Sequence, residues 1–179
     1  MLQCETPKSF GKYATLYSDF SESCYSNVCL MPRICTKNNS LKDLQYQIIH
    51  RYLPTNRLLY KMGKIESMRC TLCRMHTETI SHIFYECTLV TGLWLFIERL
   101  VSAVAGKVIK LNCQDVILGY QFKASNVNIN NVILYTKNYI WHVRKYQIHI
   151  SVENFCIWLR DQSLYDNSLE VVCKEFPIS

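Results

Sequence analysis

Four residues constrain this chain more than any other feature: Cys70-x2-Cys73-x8-His82-x4-Cys87. Three thiols and an imidazole make a complete tetrahedral set for zinc, with two ligands on a tight turn and two on the element that follows. A turn carrying Cys70 and Cys73 lets backbone N–H groups point at the sulfurs, which stabilises the thiolates that zinc requires. Such a site pins the surrounding chain whether or not the flanking elements are strong on their own.

The second half of the set raises a geometric condition. His82 and Cys87 have the five-residue spacing found in retroviral zinc knuckles, although the central gap is eight residues rather than four. On a continuous α-helix residues i and i+5 stand about 140° apart, so both reach one metal only where the helix ends or distorts near Cys87. His76 is an alternative ligand. With ten cysteines in 179 residues, a lone C-x-x-C carries little weight. Composition leaves open a plainer arrangement, with Cys73 and Cys87 as small buried residues and His82 as a core histidine. Cys24, Cys29 and Cys35 are unassigned thiols, while Cys4, Cys113, Cys156 and Cys173 read as isolated.

Charge is concentrated around these ligands. Residues 33–74 hold nine basic side chains against Asp43 and Glu66, a local +7 in a chain of net charge +6. A local excess of this kind is a footprint for phosphate, although a solvated helix surface produces the same pattern. The start of the chain lacks a secretory hydrophobic region, and no apolar run reaches the roughly 18 residues of a membrane span. Ten cysteines without a secretion signal suit reduced thiols plus a metal. The expected setting is therefore the nucleus or cytoplasm rather than the exterior.

The 49% hydrophobic and 19% charged composition suits one globular domain with an adequate core. Residues 1–39 show no sustained periodicity, with Pro7 and Pro32 as breakers, and read as an irregular lead-in from a longer upstream chain. Ser40-x-x-Asp43 resembles a capping box, and Leu41, Leu44, Ile48 and Tyr52 recur at helical spacing until Pro54. Thr55 is placed to cap a short helix over residues 56–62, with Gly63 as a left-handed residue past its end. Thr77 starts a helix carrying Ile80 and Phe84. A long apolar segment covers residues 89–108, and a shorter stretch covers 115–119. Two late helices follow. The first buries Val132, Tyr135, Tyr139, Val143, Tyr146 and Ile150, with Lys137, Trp141, Arg144 and Lys145 on the opposite face. The second buries Val152, Phe155 and Leu159. The expected class is mainly α: a small irregular helical domain organised around a Cys3His zinc site. It divides into the core at 40–110, a helical extension at 111–165 and a tail at 166–179.

The run from Leu44 through Leu53-Pro54-Thr55-Asn56 to Leu59, with Met62-Gly63, Cys70-x2-Cys73, Glu78-Thr79, His82-x4-Cys87 and Trp94, is specific in combination. It closely resembles the zinc-binding domain at the C-terminal end of reverse transcriptases from LINE-type (non-LTR) retrotransposons. The tail from Val132 to Trp141 also looks like the downstream helix of such elements. The resemblance covers about residues 40–160 and implies zinc at Cys70, Cys73, His82 and Cys87. It also implies partners: template RNA or target DNA, and the body of the reverse transcriptase, with neither a membrane nor a small-molecule substrate. The five aspartates (Asp19, Asp43, Asp115, Asp161, Asp166) are scattered and supply no paired ligands for two-metal nucleotidyl transfer. The chain thus reads as a detached, non-catalytic portion of a longer polyprotein.

Two roles follow for such a portion. In the first, Arg51, Arg57, Lys61, Lys64, Arg69 and Arg74 neutralise phosphates, Lys137, Trp141, Arg144 and Lys145 extend the contact, and Tyr60 and Met68 stack on bases. In the second, zinc pins a connector or protein-interaction domain that has no nucleic-acid affinity of its own. A zinc hydrolase is disfavoured, since a saturated Cys3His shell leaves no position for water.

Overall fold

Apolar residues at spacings of three and four organise the chain into helices, and the computed structural model describes residues 8–17, 20–123 and 125–163. Cys4, Cys173 and the 166–179 tail lie outside the described residues. In chain order the α-helices are α1 (Lys8–Leu16), α2 (Glu22–Cys35), α3 (Asn39–Ile49), α4 (Asn56–Lys61), α5 (Thr88–Ala105), α6 (Cys113–Leu118), α7 (Val127–Tyr146) and α8 (Val152–Ser163). A π-helical turn, His82–Glu86, precedes α5. No strand occurs among the described residues, so the mainly helical class stands.

Within the expected irregular lead-in, the described residues form α1 and α2. Ser21 caps α2 by accepting from Cys24 N, and Val28, Met31, Pro32 and Cys35 are buried against α3 and α7. Pro32 sits inside the helix, although it removes one backbone donor. Burial of that face outweighs the missing bond, which is why reading Pro32 as a breaker failed.

Smaller shifts occur in α3 and α4. Asn38, not Ser40, caps α3, its side chain accepting from Ser40 N at 2.9 Å. The helix stops at Ile49, and Arg51 reverses the chain with a left-handed φ of 61°. Tyr52 therefore leaves the buried face and is 47% exposed, while Leu53 takes the inward position. Gly63 does adopt the left-handed conformation expected past α4, with φ 65°.

At 18 residues and mean hydropathy 1.5, α5 is long and apolar enough to cross a membrane by length and composition, although Glu98 and Arg99 interrupt its apolar run. It packs as an amphipathic core helix. Val90, Leu93, Trp94, Ile97, Leu100 and Val101 are buried, while Leu95 and Arg99 face solvent.

Helix α7 is the hub, touching α2, α3, α5, α8 and the π-helical turn. Enclosure from several sides explains why Lys137, on its expected polar face, is not at the surface. Lys137 is fully buried, and its Nζ donates to Gln45 Oε1, whose amide in turn donates to Ile117 O at 3.0 Å. At the other edge, Tyr146 is 56% exposed, and Gln147 ends the helix in a left-handed conformation before Ile150.

Burial pulls the Lys137 ammonium down from 10.5 to about 7. Between those values the unfolded chain holds a proton on this lysine that the folded chain does not, so its contribution to stability rises with pH. The Cys35 thiol, pushed up to about 12 by burial, works in the opposite direction above its ordinary value. The lysine is therefore isolated by difference. In urea unfolding between about pH 7 and 10, wild type should gain on Lys137→Met with a slope approaching about 1.4 kcal/mol per pH unit. Parallel profiles would show that Lys137 stays charged in the fold.

Candidate metal centre

Residues 68–78 fold back on themselves as a knuckle. Cys70 N donates to His76 O at 2.7 Å, Arg74 N to Cys70 O at 2.9 Å and Glu78 N to Met68 O at 2.8 Å. An antiparallel bridge joins Arg69 to Thr77. Arg74, at φ 59°, reverses the chain directly after Cys73. This turn aims the N–H groups of Leu72 and Cys73 at the Cys70 sulfur, and the N–H of Leu89 does the same for Cys87.

The far side of the site starts at Thr79 rather than Thr77. Thr79 Oγ1 accepts from His82 N at 2.9 Å, and the π-helical turn follows. It closes with Cys87 N donating to His82 O at 2.8 Å. That i+5 hydrogen bond meets the geometric condition set by the spacing, because a π turn brings residue i+5 round toward residue i. Trp94 Nε1 donates to Phe84 O at 2.6 Å, occupying a carbonyl at a helix end that needs an outside partner.

The outcome is a cluster in which one ligand atom each from Cys70, Cys73, His82 and Cys87 lies within 4.8 Å of all the others. Cys73 Sγ and His82 Nε2 are 3.4 Å apart. Tetrahedral zinc, with bonds of about 2.3 Å to sulfur and 2.0–2.1 Å to nitrogen, would space such a pair by about 3.5 Å. The donor set therefore fits zinc in chemistry and scale. His76 is exposed and outside the cluster, its ring centroid 5.5 Å from that of His82, which is itself buried.

A hydrogen bond with Cys87, reinforced by burial, pushes the Cys70 thiol up, and the same bond holds the Cys87 thiol below its ordinary value. A bound cation reverses the Cys70 shift by coordinating the thiolate. Three sulfurs and one nitrogen would then fill the shell and exclude a bound water, so the centre is structural in type.

Glu78 connects this centre to the helical body, a role missed in the sequence. It is fully buried; Oε2 accepts from Thr71 N at 2.8 Å, next to Cys70, and Oε1 accepts from Asn56 N at 2.8 Å. Oε1 also receives Arg144 Nη2 at 2.9 Å. Thr55, expected to cap α4, makes no side-chain cap bond, because Glu78 supplies the acceptor. Adjacency to Thr79 in the Glu-Thr pair was the available signal.

The expected nucleic-acid contacts divide into groups. Arg51, Arg57 and Lys61 line one groove together with Lys12. Lys64, Arg69 and Arg74 are exposed around the knuckle, and Lys145 is exposed near the end of α7. Three residues are corrected. Lys137 is buried, Arg144 is committed to Glu78, and Trp141 is half-buried under the Arg144 guanidinium, 4.6 Å from the ring centroid, and beside Phe84. Lys137 is enclosed by the neighbours of α7, whereas Trp141 and Arg144 lie at its edge, packed against Phe84 and Glu78.

No curated protein and no solved structure gives a significant match to the chain. Residues 20–94, which contain all four candidate ligands, Glu78 and Trp94, match the family model described as zinc-binding in reverse transcriptase, and this segment is thus similar to a reverse-transcriptase-associated zinc-binding domain.

Proposed function

We propose that this chain is a non-catalytic, zinc-stabilised nucleic-acid-binding module from the C-terminal part of a non-LTR retrotransposon reverse transcriptase. The observation that carries this reading is the placement of exposed cations beside the Cys3His cluster. Arg51, Arg57, Lys61, Lys64, Arg69 and Arg74 all face solvent, and none has an ion-pair partner among the described residues. Template RNA or target DNA would supply the missing anions, in a nuclear or cytoplasmic setting that keeps the thiols reduced.

The second reading is a structural connector, favoured by the buried Glu78–Arg144 pair that ties the knuckle to α7. Zinc-loaded full-length chain, checked for one metal per molecule, should be titrated with a labelled single strand and a hairpin over a range of salt. Six phosphate contacts predict a logarithmic salt slope of about −4 on a single strand. One bound zinc with no salt-sensitive binding would leave the connector role.

A further inference from the structure

We infer that the groove between α1, α4 and the segment leading into His82, together with an adjoining aromatic platform, is a binding site for single-stranded nucleic acid. This inference rests on the nucleic-acid reading above and assigns it a place on the molecule.

The groove has a volume of about 340 Å³. Lys12 enters it from α1, Arg51 from the turn after α3, and Arg57 and Lys61 from α4, with Thr79 and Ser81 adding hydroxyls on the remaining wall. No acidic side chain lines it, and none of the four cations has an ion-pair partner among the described residues. Cations gathered from three elements without an internal counter-charge focus a positive potential on a concave surface, the arrangement that attracts a phosphodiester backbone. Lys12 belongs to the segment expected to be irregular, so the groove exists only because α1 folds onto the domain.

The platform adjoins the groove through the chain itself. Arg51 lies between His50 and Tyr52, and its left-handed φ of 61° turns it into the groove while its neighbours stay outside. Tyr46, one helical turn before His50, completes a cluster of three rings. The Tyr46–His50 centroids are 4.2 Å apart and the Tyr46–Tyr52 centroids 5.8 Å apart. Tyr46 and Tyr52 are 55% and 47% exposed, and the His50 ring is within 3.3 Å of Ser9 Oγ on α1. Exposed, fixed aromatic faces beside a cationic groove offer stacking to unpaired bases and phosphate contacts to their backbone. Duplexes hide their base faces, so the pair of features selects single strands.

Three variants of the zinc-loaded full chain test this, with single-stranded and duplex RNA and DNA probes of one sequence. The groove variant K12E/R57E/K61E and the control R99E/K107E/K123E make equal charge changes at exposed positions, and zinc content and helicity verify folding. The groove variant should lose at least about tenfold in single-strand affinity and flatten the logarithmic salt slope by about 2. The control should lose much less. The platform variant Y46A/Y52A should lose about tenfold on single strands, little on duplex, and keep the wild-type salt slope. Equal losses in the groove and control variants, or equal wild-type affinity for duplex and single strand, would overturn the site while leaving nucleic-acid binding intact. Competition by a Glu-rich peptide as effective as the strand itself, unaffected in Y46A/Y52A, would reassign the groove to an acidic protein partner. Absence of any wild-type binding would overturn the nucleic-acid reading and this site together.

Discussion

Chelation of zinc is expected to open the knuckle, residues 68–78, and make the chain after the already exposed Arg69 and Arg74 cleavable by trypsin. Structural zinc sites contribute apparent binding energies on the order of 10 kcal/mol, and the other supports of the ligand loop are hydrogen bonds and the Glu78–Arg144 pair. Among the described residues the knuckle is held by an isolated bridge, turn hydrogen bonds and the bonds that Asn56 and Glu78 make to Arg69 O, Thr71 Oγ1 and Thr71 N, with Met68, Met75 and His76 exposed. The helical body is differently supported, since Ile48, Ile97, Tyr135 and Phe155 are buried without help from the ligands. Metal loss should therefore give a protein that keeps much of its helical signal but is cut within the knuckle. Cys70→Ser and Cys87→Ser should reproduce this, whereas Cys29→Ser, remote from the cluster, should not. Lower pH should weaken zinc binding, because protons compete with the metal for the thiolates. Identical trypsin patterns with and without zinc would remove the metal from the account of this fold.

The ligand set was legible because zinc sites are local: the four residues lie within 18 positions, and their spacing depends little on the rest of the fold. The five-residue gap between His82 and Cys87 even announced that the helix must distort there, and the π-helical turn is that distortion. What the chain hid was long-range. Lys137 and Arg144 look like surface cations on a helical wheel, yet α7 is wrapped by several neighbours that periodicity does not disclose. Similarly, α2 has weak patterning and an internal proline, and its stability comes from packing against α3 and α7. Tyr52 fell on the apolar stripe of α3 only if the helix continued past Ile49; the reversal at Arg51 depends on contacts a linear pattern does not contain. Local chemistry was readable, and enclosure was not.

Replacing Glu78 by Ala should destabilise the protein by about 3–5 kcal/mol, the range for breaking a buried, hydrogen-bonded ion pair from one side. The carboxylate has no exposure and the Arg144 side chain only 15%, so solvent screens this pair weakly. The loss has three parts. Arg144 is left without its charge partner, Asn56 N at the start of α4 loses its acceptor, and so does Thr71 N beside the first zinc ligand. The third part couples stability to metal, so zinc affinity should fall by about tenfold, at the lower end of what outer partners of a metal site contribute. Arg144→Ala should cost less, because Glu78 retains its backbone donors. The double variant should be more stable than the sum of the singles predicts, by about 1–3 kcal/mol, since residues in one network couple. The same cycle decides what Arg144 is for. If it contacts nucleic acid, Arg144→Ala would reduce strand affinity at unchanged stability and zinc affinity. If it ties the knuckle to α7, stability falls in Arg144→Ala, and strand affinity follows zinc occupancy rather than the lost guanidinium charge.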